Sequence, residues 1–262
     1  METWRLISDG PRSGPENMAL DESLWGSAAD GGLTTLRFYT FNPPAVTIGR
    51  SQQPEKFLDQ ASCAREGVDV ARRPTGGLAI LHLSDLTYCL TAPLAGQAKG
   101  ARDRYFTMVG RGLIAGLNVL GIEAAIAAHH WRAGGPGWCF DREFGVDLEW
   151  RSRKICGSAQ RISSASVLQH GSLFLKENHA LAAKISREGT TGSPSERFVA
   201  LCEAAERPVE YRELAEALVE GFASGLGVVL EPGETTGRER RTASELLDLK
   251  YSEGPWGRSE GS

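Results

Sequence analysis

The chain has little that would hold a metal ion. No two of its cysteines form a Cys-x-x-Cys pair, and the five are Cys63, Cys89, Cys139, Cys156 and Cys202. This spacing argues against a zinc knuckle and a thioredoxin-type redox motif. The adjacent His129 and His130 have diverging side chains, which are poorly placed to share one ion. We expect no metal site, and we expect free thiols that are mostly small buried side chains.

The sequence also lacks long apolar runs and any strongly basic region. The 262 residues carry a formal net charge of −4, and Lys and Arg are interspersed with Asp and Glu throughout. Without a basic region, no nucleic-acid partner is expected. Without a signal-like or bilayer-spanning segment, no membrane association is expected. The sequence therefore predicts a soluble cytoplasmic protein, whose 41% hydrophobic content is enough for a sizeable core.

Several common catalytic and nucleotide-binding motifs are missing. The chain has neither a Gly-x-Ser-x-Gly elbow nor a Gly-x-x-x-x-Gly-Lys phosphate loop. Glycines 110, 112 and 116 have the wrong spacing for a dinucleotide fingerprint, and no strand leads directly into them. The catalytic chemistry must be sought in other patterns.

Helical and strand patterns are mixed along the chain without a regular alternation. Apolar periodicity and turn residues predict helices at 17–29, 54–66, 102–121, 177–187, 212–226 and 238–250. They predict strands at 36–41, 45–49, 68–72, 78–82, 86–92, 146–150, 154–161 and 167–175, with loops at 129–137 and 189–195. This order favours an α+β fold, a mixed sheet with flanking helices. We expect one domain over residues 1–250, more helical from about 195, and a frayed tail at 251–262.

The run Arg-Arg-Pro-Thr-Gly-Gly at 72–77 is the first candidate for chemistry. Two glycines in a turn between strands expose backbone N–H groups, and Arg73 adds a fixed fork of donors. Together they could bind an acyl carbonyl or a phosphate. An ordinary hairpin turn explains the same residues equally well. His82, at the end of an apolar strand, fits a hydrogen-bonded core histidine better than a catalytic one.

A second candidate is Lys154, at the head of a segment of small residues and β-formers. Gly157, Ser158 and Ala159 leave little side-chain bulk, so a ligand could lie close to this backbone. An ammonium group beside such a groove suits a carbonyl, phosphate or thioester oxygen. Most lysines are solvated, so a surface strand with its lysine in water is the simpler alternative.

Cys139 is the third candidate, because it lies in a glycine-rich loop between two aromatic residues. If Lys154 approaches it, the ammonium would stabilise the thiolate and sharpen a nucleophile. The alternative is a loop cysteine half-buried between Trp138 and Phe140.

In their order along the chain, these segments resemble the superfamily of lipoate-protein ligases, octanoyltransferases and biotin ligases. The resemblance spans nearly the whole chain and is carried by Arg-Arg-Pro-Thr-Gly-Gly at 72–77, Leu81-His82, Leu86-Thr87-Tyr88, Lys-x-x-Gly-Ser-Ala-Gln at 154–160 and Gln-His-Gly-Ser at 169–172. It implies the catalytic-domain fold of these enzymes, with a largely antiparallel sheet flanked by helices.

Within that superfamily the chain is most similar to the cysteine-dependent octanoyltransferases. It has their Cys-Phe-Asp loop at 139–141, fifteen residues before Lys154, and their acidic-Leu-Thr-Tyr run at 85–88. It departs from the superfamily at Leu83, where Asp is usual after the histidine, and at residues 142–145, where Ala-Pro-Ser-Trp is usual. These departures bear on the lipid-side or partner-side wall of the site.

The resemblance implies a two-step octanoyl transfer without a required cofactor. The donor would be octanoyl-acyl carrier protein, and the acceptor a lysine of a lipoyl domain such as the glycine-cleavage H protein. The implied catalytic residues are Cys139 and Lys154. The implied substrate-binding residues are Arg73, Thr75, Gly76, Gly77, His82, Thr87, Gly157, Ser158, Ala159, His170 and Gly171.

Three other functions remain open from the sequence. An ATP-dependent lipoate or octanoate ligase would use ATP and Mg²⁺, place Lys154 on an acyl-adenylate, and leave Cys139 without a role. An amidotransferase would move octanoyl between lipoyl domains through a cysteine. A non-catalytic carrier-binding protein would keep the fold without turnover, although the Cys139–Lys154 spacing speaks against it. Biotin attachment fits the glycine turn and the lysine segment less well.

Overall fold

A computed structural model of the chain describes residues 1–127, 137–138, 148–187 and 198–252. Some of the expectations lie outside these residues: those for Cys139, for the segment 142–145 and for the loop at 189–195. The same holds for the tail beyond Ser252 and for most of the loop predicted at 129–137.

An eight-stranded mixed sheet forms the centre of the described fold. Its strands are β1 (Thr3–Ser8), β2 (Thr35–Tyr39), β6 (Asp85–Pro93), β7 (Ala125–Ile126), β8 (Leu148–Trp150), β9 (Arg153–Ile162), β10 (Ser166–Phe174) and β11 (Val229–Pro232), in the order β11-β1-β2-β6-β10-β9-β8-β7. Strand β1 runs parallel to both β11 and β2, and the remaining adjacent pairs are antiparallel. The expected mixed, largely antiparallel sheet is confirmed.

A smaller sheet packs over one face of the large one. It consists of β3 (Ala45–Ile48) flanked by β4 (Asp69–Arg72), which is parallel to it, and β5 (Ile80–His82), which is antiparallel to it. Since β4 and β5 lie on opposite sides of β3, the glycine run between them does not close a hairpin. The ordinary hairpin turn considered for residues 72–77 is therefore wrong.

The helices cover both faces of the large sheet. They are α1 (Gly14–Ala29), α2 (Gln60–Arg65), α3 (Ala101–Val119), α4 (His179–Ile185), α5 (Leu201–Ala204), α6 (Tyr211–Leu226) and α7 (Gly237–Leu246), with α7 continued by a π-helical turn at Leu247–Tyr251. Helices α3 and α6 pack with β6 in the main apolar core, whereas α1 packs on the opposite face. Among the described helices, none is both long and apolar enough to span a bilayer.

Most of the predicted elements are present, with shifts of a few residues at their ends. The continuous helix predicted at 54–66 is wrong, because a 3₁₀ turn at Pro54–Lys56 ends before α2 begins. Between them the side chain of Asp59 accepts a hydrogen bond from the Ser62 amide and caps the new helix. Strands β1, β7 and β11 and helix α5 were not predicted, because all but β1 are too short to show a clear apolar period.

Candidate active site

A small cavity lies between the two sheets. Part of its wall is apolar and comes from Met18 of α1, the aromatic rings of Tyr39 and Phe41, and Ile80 of β5. The rest comes from polar side chains and from small residues of β9 and β10. A space of this kind suits an apolar chain that carries one polar end group.

Antiparallel pairing brings residues from three strands into rows on the cavity floor. Thr87 of β6 pairs with Ser172 of β10, and Ser172 pairs with Gly157 of β9. In the next row, His170 pairs with Ala159. Directly paired residues point to the same face of a sheet, so Gly157 and Ala159 leave room where larger side chains would fill the cavity.

An irregularity in β9 decides which way Lys154 points. Leu148 of β8 pairs with Cys156 and Glu149 pairs with Lys154, so Ile155 has no partner in β8, as in a β-bulge. Ile155 and Cys156 both enter the main apolar core. The bulge therefore shifts by one residue the alternation of side chains between the two faces of the sheet. As a result, Lys154 lies on the cavity face with Gly157 and Ala159, and not on the core face.

Lys154 is buried, with only 6% of its surface exposed. The solvated surface lysine considered from the sequence is therefore wrong. Beside it, Phe198 forms an isolated parallel bridge with Lys154 and belongs to the apolar cluster that also contains Ile80 and Trp138. Trp138 is the residue bonded to Cys139, and it bridges to Ala79 and donates from Nε1 to Ser186 Oγ at 3.0 Å.

Arg73 holds the glycine turn from inside. Its Nη2 donates to the carbonyl oxygens of Gly76 and Leu78, at 2.7 and 2.8 Å, and its Nη1 donates to the Thr47 carbonyl at 3.0 Å. Its Nε also donates to Thr75 Oγ1, at 3.1 Å. The guanidinium fork thus binds protein oxygens and shapes the turn, a role that the motif alone did not predict.

The amides of Gly76 and Gly77 take no part in these bonds. Both glycines are exposed, and within the described part of the chain neither N–H group has a hydrogen-bond acceptor. Gly77 has a φ of 93°, which a residue with a side chain rarely adopts. A Cβ atom on Gly77 would lie 3.9 Å from that of Ala159, which places the turn beside β9. The turn can therefore offer amide donors to a ligand oxygen near β9.

His82 belongs to a buried polar group in the cavity wall. Its Nδ1 lies 2.7 Å from Asp85 Oδ2 and its Nε2 lies 2.9 Å from Thr47 Oγ1. Its ring stacks on Phe41 with the centroids 4.0 Å apart. Thr87 also donates to Asp85, at 2.9 Å. Because both ring nitrogens are engaged, His82 is the hydrogen-bonded core histidine that its strand position indicated.

His170 belongs to a second such group. Its Nδ1 lies 3.0 Å from Asp21 Oδ2 and its Nε2 lies 2.7 Å from Thr75 Oγ1. Burial lowers the pKa of His170 below 6.5, although the hydrogen bond to Asp21 acts in the opposite direction. Burial acts to raise the pKa of Asp21, but the hydrogen bond from His170 and the charge of Arg37 bring it below 3.8.

The structure gathers most of the predicted site residues around one cavity. Its wall includes Arg73, His82, Thr87, Gly157, Ala159, His170 and Gly171. Thr75, Gly76 and Gly77 form the adjoining turn. Ser158 differs, because its hydroxyl lies 2.6 Å from that of Tyr88, a residue of the core on the other face of the sheet. Among the described residues, no group of three or more His, Cys, Asp or Glu side chains is placed to hold a metal ion.

Sequence reasoning did not single out Asp21, Arg37 or Thr47, although all three are buried and lie in or behind this wall. A signal for Asp21 was present, since Asn17 and Asp21 are polar residues four apart on a helix. Residues with that spacing share a helix face. Both point inward, and Arg37 donates to both of them at 2.7 Å.

Nearly the whole chain is similar in sequence to known proteins that share one enzymatic name. Octanoyltransferase LipM of Symbiobacterium thermophilum is 38% identical, and the match covers 98% of each chain. The protein of the same name from Geobacillus kaustophilus is 34% identical over 97% of this chain and 98% of its own.

Solved structures share the fold. A lipoate-protein ligase A bound with ATP superposes with a TM-score of 0.81 at 24% identity, covering 98% of each chain. A bipartite lipoate protein ligase from Thermoplasma acidophilum gives a TM-score of 0.77 at 24% identity, covering 98% of this chain and 96% of its own. Residues 13–223 match the lipoyl protein ligase A/B catalytic domain, and the chain belongs to that family.

Proposed function

We propose that this protein transfers an octanoyl group from octanoyl-acyl carrier protein to a lysine of a lipoyl domain, as a step of protein lipoylation. The observation that carries the proposal is the full-length similarity to octanoyltransferases, at 38% and 34% identity. A cavity with an apolar wall, unpaired amide donors at its edge and a buried lysine on β9 gives this reaction a suitable site.

In the first step, the thiolate of Cys139 attacks the thioester carbonyl of the donor. The new C–S bond forms as the bond to the carrier thiol breaks, and the departing sulfur takes up a proton. Negative charge on the carbonyl oxygen meets the Lys154 ammonium and the Gly76 and Gly77 amides. The position of Trp138 supports the assignment of Cys139, because Trp138 and Phe198, the neighbour of Lys154, lie in one apolar cluster with Ile80.

In the second step, the neutral amine of the acceptor lysine attacks the acyl-enzyme. A C–N bond forms, the bond to the Cys139 sulfur breaks, and the amine loses a proton to give the amide. No ATP is consumed, because the thioester already carries the activated acyl group. The octanoyl tail occupies the apolar part of the cavity at Met18, Phe41 and Ile80 in both steps.

Intact-mass measurement with octanoyl-acyl carrier protein tests the proposal. The wild-type protein should gain the mass of one octanoyl group without ATP, and a lipoyl domain should then remove it. Cys139→Ser should lower transfer by on the order of 10³-fold or more, because the attacking thiolate is gone. Cys202→Ser is the matched control, since Cys202 is a half-buried free thiol outside the proposed site, and this variant should be labelled normally.

Two outcomes would point to other members of the superfamily. Modification of the lipoyl domain by free octanoate or lipoate only when ATP and Mg²⁺ are present would establish an ATP-dependent ligase. Labelling by an octanoylated lipoyl domain, but not by the carrier protein, would establish an amidotransferase. Full activity of Cys139→Ser would overturn the covalent step itself.

A further inference from the structure

A chain of buried hydrogen bonds connects helix α1 to the glycine turn. It runs from Asp21 on α1 to His170 on β10, from His170 to Thr75, and from Thr75 to Arg73. Asp21 and Thr75 are fully buried, and Arg73 and His170 are 3% and 5% exposed. Water cannot replace a partner in bonds shielded in this way, so a lost bond leaves a buried polar group unpaired. The cost of an unpaired group holds the four side chains in one arrangement.

The direction of each bond in this chain follows from the chemistry of its groups. Arg73 can only donate, so Thr75 Oγ1 accepts from it and has its single proton available for His170 Nε2. Asp21 is a carboxylate that accepts, so His170 carries its proton on Nδ1. Burial lowers the pKa of His170 and so favours its neutral form at pH 7, and for a neutral ring these bonds specify the Nδ1–H tautomer.

The Asp21 end of the chain is fixed by further contacts. Arg37 donates to Asp21 Oδ1 at 2.7 Å, and the Tyr39 hydroxyl donates to Asp21 Oδ2 at 2.7 Å. Arg37 is itself held by Asp9 and Asn17, each at 2.7 Å. Asp21 is thus a rigid anchor in the interior of the protein.

The glycine turn at the other end is held through carbonyl oxygens and not through the amides of its glycines. Gly76 and Gly77 carry no side chains, and their amides lack acceptors among the described residues. Their orientation depends on the Arg73 bonds to the Gly76 and Leu78 carbonyls and on Thr75, whose carbonyl accepts from the Arg50 amide and whose hydroxyl is held by His170. A turn with this freedom needs a rigid support if its amides are to bind one oxygen atom precisely.

We infer that Asp21 is a positioning residue, which acts through His170 and Thr75 to hold the Gly76 and Gly77 amides in the orientation that binds the acyl carbonyl oxygen. The inference rests on the proposed acyl transfer. His170 and Thr75 would then act on the turn, rather than binding substrate with their ring and hydroxyl.

Substitutions at Thr75 test the relay without disturbing the buried charges. Thr75→Val removes the hydroxyl at constant volume, and kcat for octanoyl transfer should fall roughly ten- to hundredfold because the amide donors lose their alignment. KM should stay within about threefold, since the apolar cavity that binds the chain is intact. Thr75→Ser restores the hydroxyl and should recover kcat to within about threefold of wild type.

Thr91→Val is the matched control for the loss of a buried hydroxyl. Thr91 is 1% exposed on β6, and its Oγ1 has no hydrogen-bond partner among the described residues. We expect it to leave kcat unchanged. Equal losses of kcat in Thr75→Val and Thr91→Val, or no loss in Thr75→Val, would overturn the inference.

The histidine tautomer gives a readout that needs no substrate. Nitrogen-15 NMR of the full chain should show His170 protonated on Nδ1. In Asp21→Asn, the new amide group donates to Nδ1, so the proton should move to Nε2 and the Gly76 and Gly77 amide resonances should shift. A wild-type Nε2–H tautomer, or unchanged glycine resonances in Asp21→Asn, would contradict the inference. Absence of octanoyl transfer by the wild-type protein would instead count against the proposed function alone.

Discussion

The two faces of the eight-stranded sheet are built from opposite chemistry, even though the same strands supply both. On β6, Leu86, Tyr88 and Leu90 enter the apolar core under α3 and α6. Asp85 and Thr87, which alternate with them, point to the other face. There they hydrogen-bond to each other, and also to His82 and Ser172 respectively. Alternation along a strand is what allows one segment to serve both.

The helix face is close-packed through small residues. Helices α3 and α6 approach so closely that a Cβ atom on Gly221 would lie 2.0 Å from the Gly116 backbone nitrogen. The cavity face instead buries charged and polar groups, among them Asp21, Arg37 and His170. Burying such groups costs free energy unless each is paired with a partner. Their pairing therefore fixes the geometry of the cavity face more than it adds to the free energy of unfolding. We therefore expect substitutions on the cavity face to affect mainly turnover, and substitutions on the helix face to affect mainly the free energy of unfolding.

Among the residues of the two faces, the largest expected effect is on the cavity face, at Lys154. Replacing it with Met should lower kcat/KM for octanoyl transfer by roughly 10²- to 10³-fold, because the charge that meets the developing oxyanion is removed. The urea unfolding free energy should change by less than about 1.5 kcal/mol, since the volume is nearly conserved. A variant that kept wild-type turnover would show that Lys154 is a structural residue.

The helix face should give the opposite result. Gly221→Ala forces a side chain into the contact with Gly116 and should lower the unfolding free energy by roughly 1–3 kcal/mol, measured in urea. Turnover per folded molecule should not change. Gly26→Ala on α1 is the matched control, because its Cβ would meet no atom within 4 Å. There we expect a gain of roughly 0.5–1 kcal/mol from helix propensity.

The two faces should also differ in their response to pH. The pKa of His170 is lowered in the folded state, so the unfolded chain binds a proton more readily below the ordinary value of 6.5. The stability that His170 contributes is therefore present above pH 6.5 and is lost as the pH falls through the folded-state pKa, by at most about 1.4 kcal/mol per pH unit. Urea titrations should show that the free energy of unfolding falls less between pH 7.5 and pH 5.5 for His170→Gln than for the wild-type protein. Gly221→Ala should lower stability equally at both, and equal drops for wild type and His170→Gln would refute the assignment.

The smallest effect is expected at an ion pair on the solvent side of the helix face. On α6, Arg212 Nε lies 2.7 Å from Glu216 Oε1, but the two side chains are 90% and 66% exposed. Solvent and salt screen such a pair, and ordering two long side chains offsets the attraction. Arg212→Ala should leave both the urea midpoint and turnover unchanged. A clear loss of either would show that this surface has a role beyond the one its exposure indicates.

Much of the site could be predicted because its motifs are local. The glycine pair at 76–77 and the small residues at 157–159 identify places where a backbone is open, and these lie side by side in the fold. The burial of Lys154 could not be predicted in the same way. Regular alternation along β9 would group Lys154 with Cys156 on the core face, and only the pairing with β8 introduces the bulge that turns it away. The role of Arg73 in holding the turn also depends on contacts with Thr47 and Leu78 that no local pattern specifies.

The sequence by itself determined the α+β class, the positions of most helices and strands, and the motifs from which the family can be identified. It could do so because helical and strand periods, and the special backbone freedom of glycine, are properties of neighbouring residues. The tertiary structure alone decided that Thr75 meets His170, 95 residues away, and that His170 meets Asp21, 149 residues away. Contacts over such separations depend on how the whole chain packs, because many arrangements of the same elements satisfy the local patterns equally well.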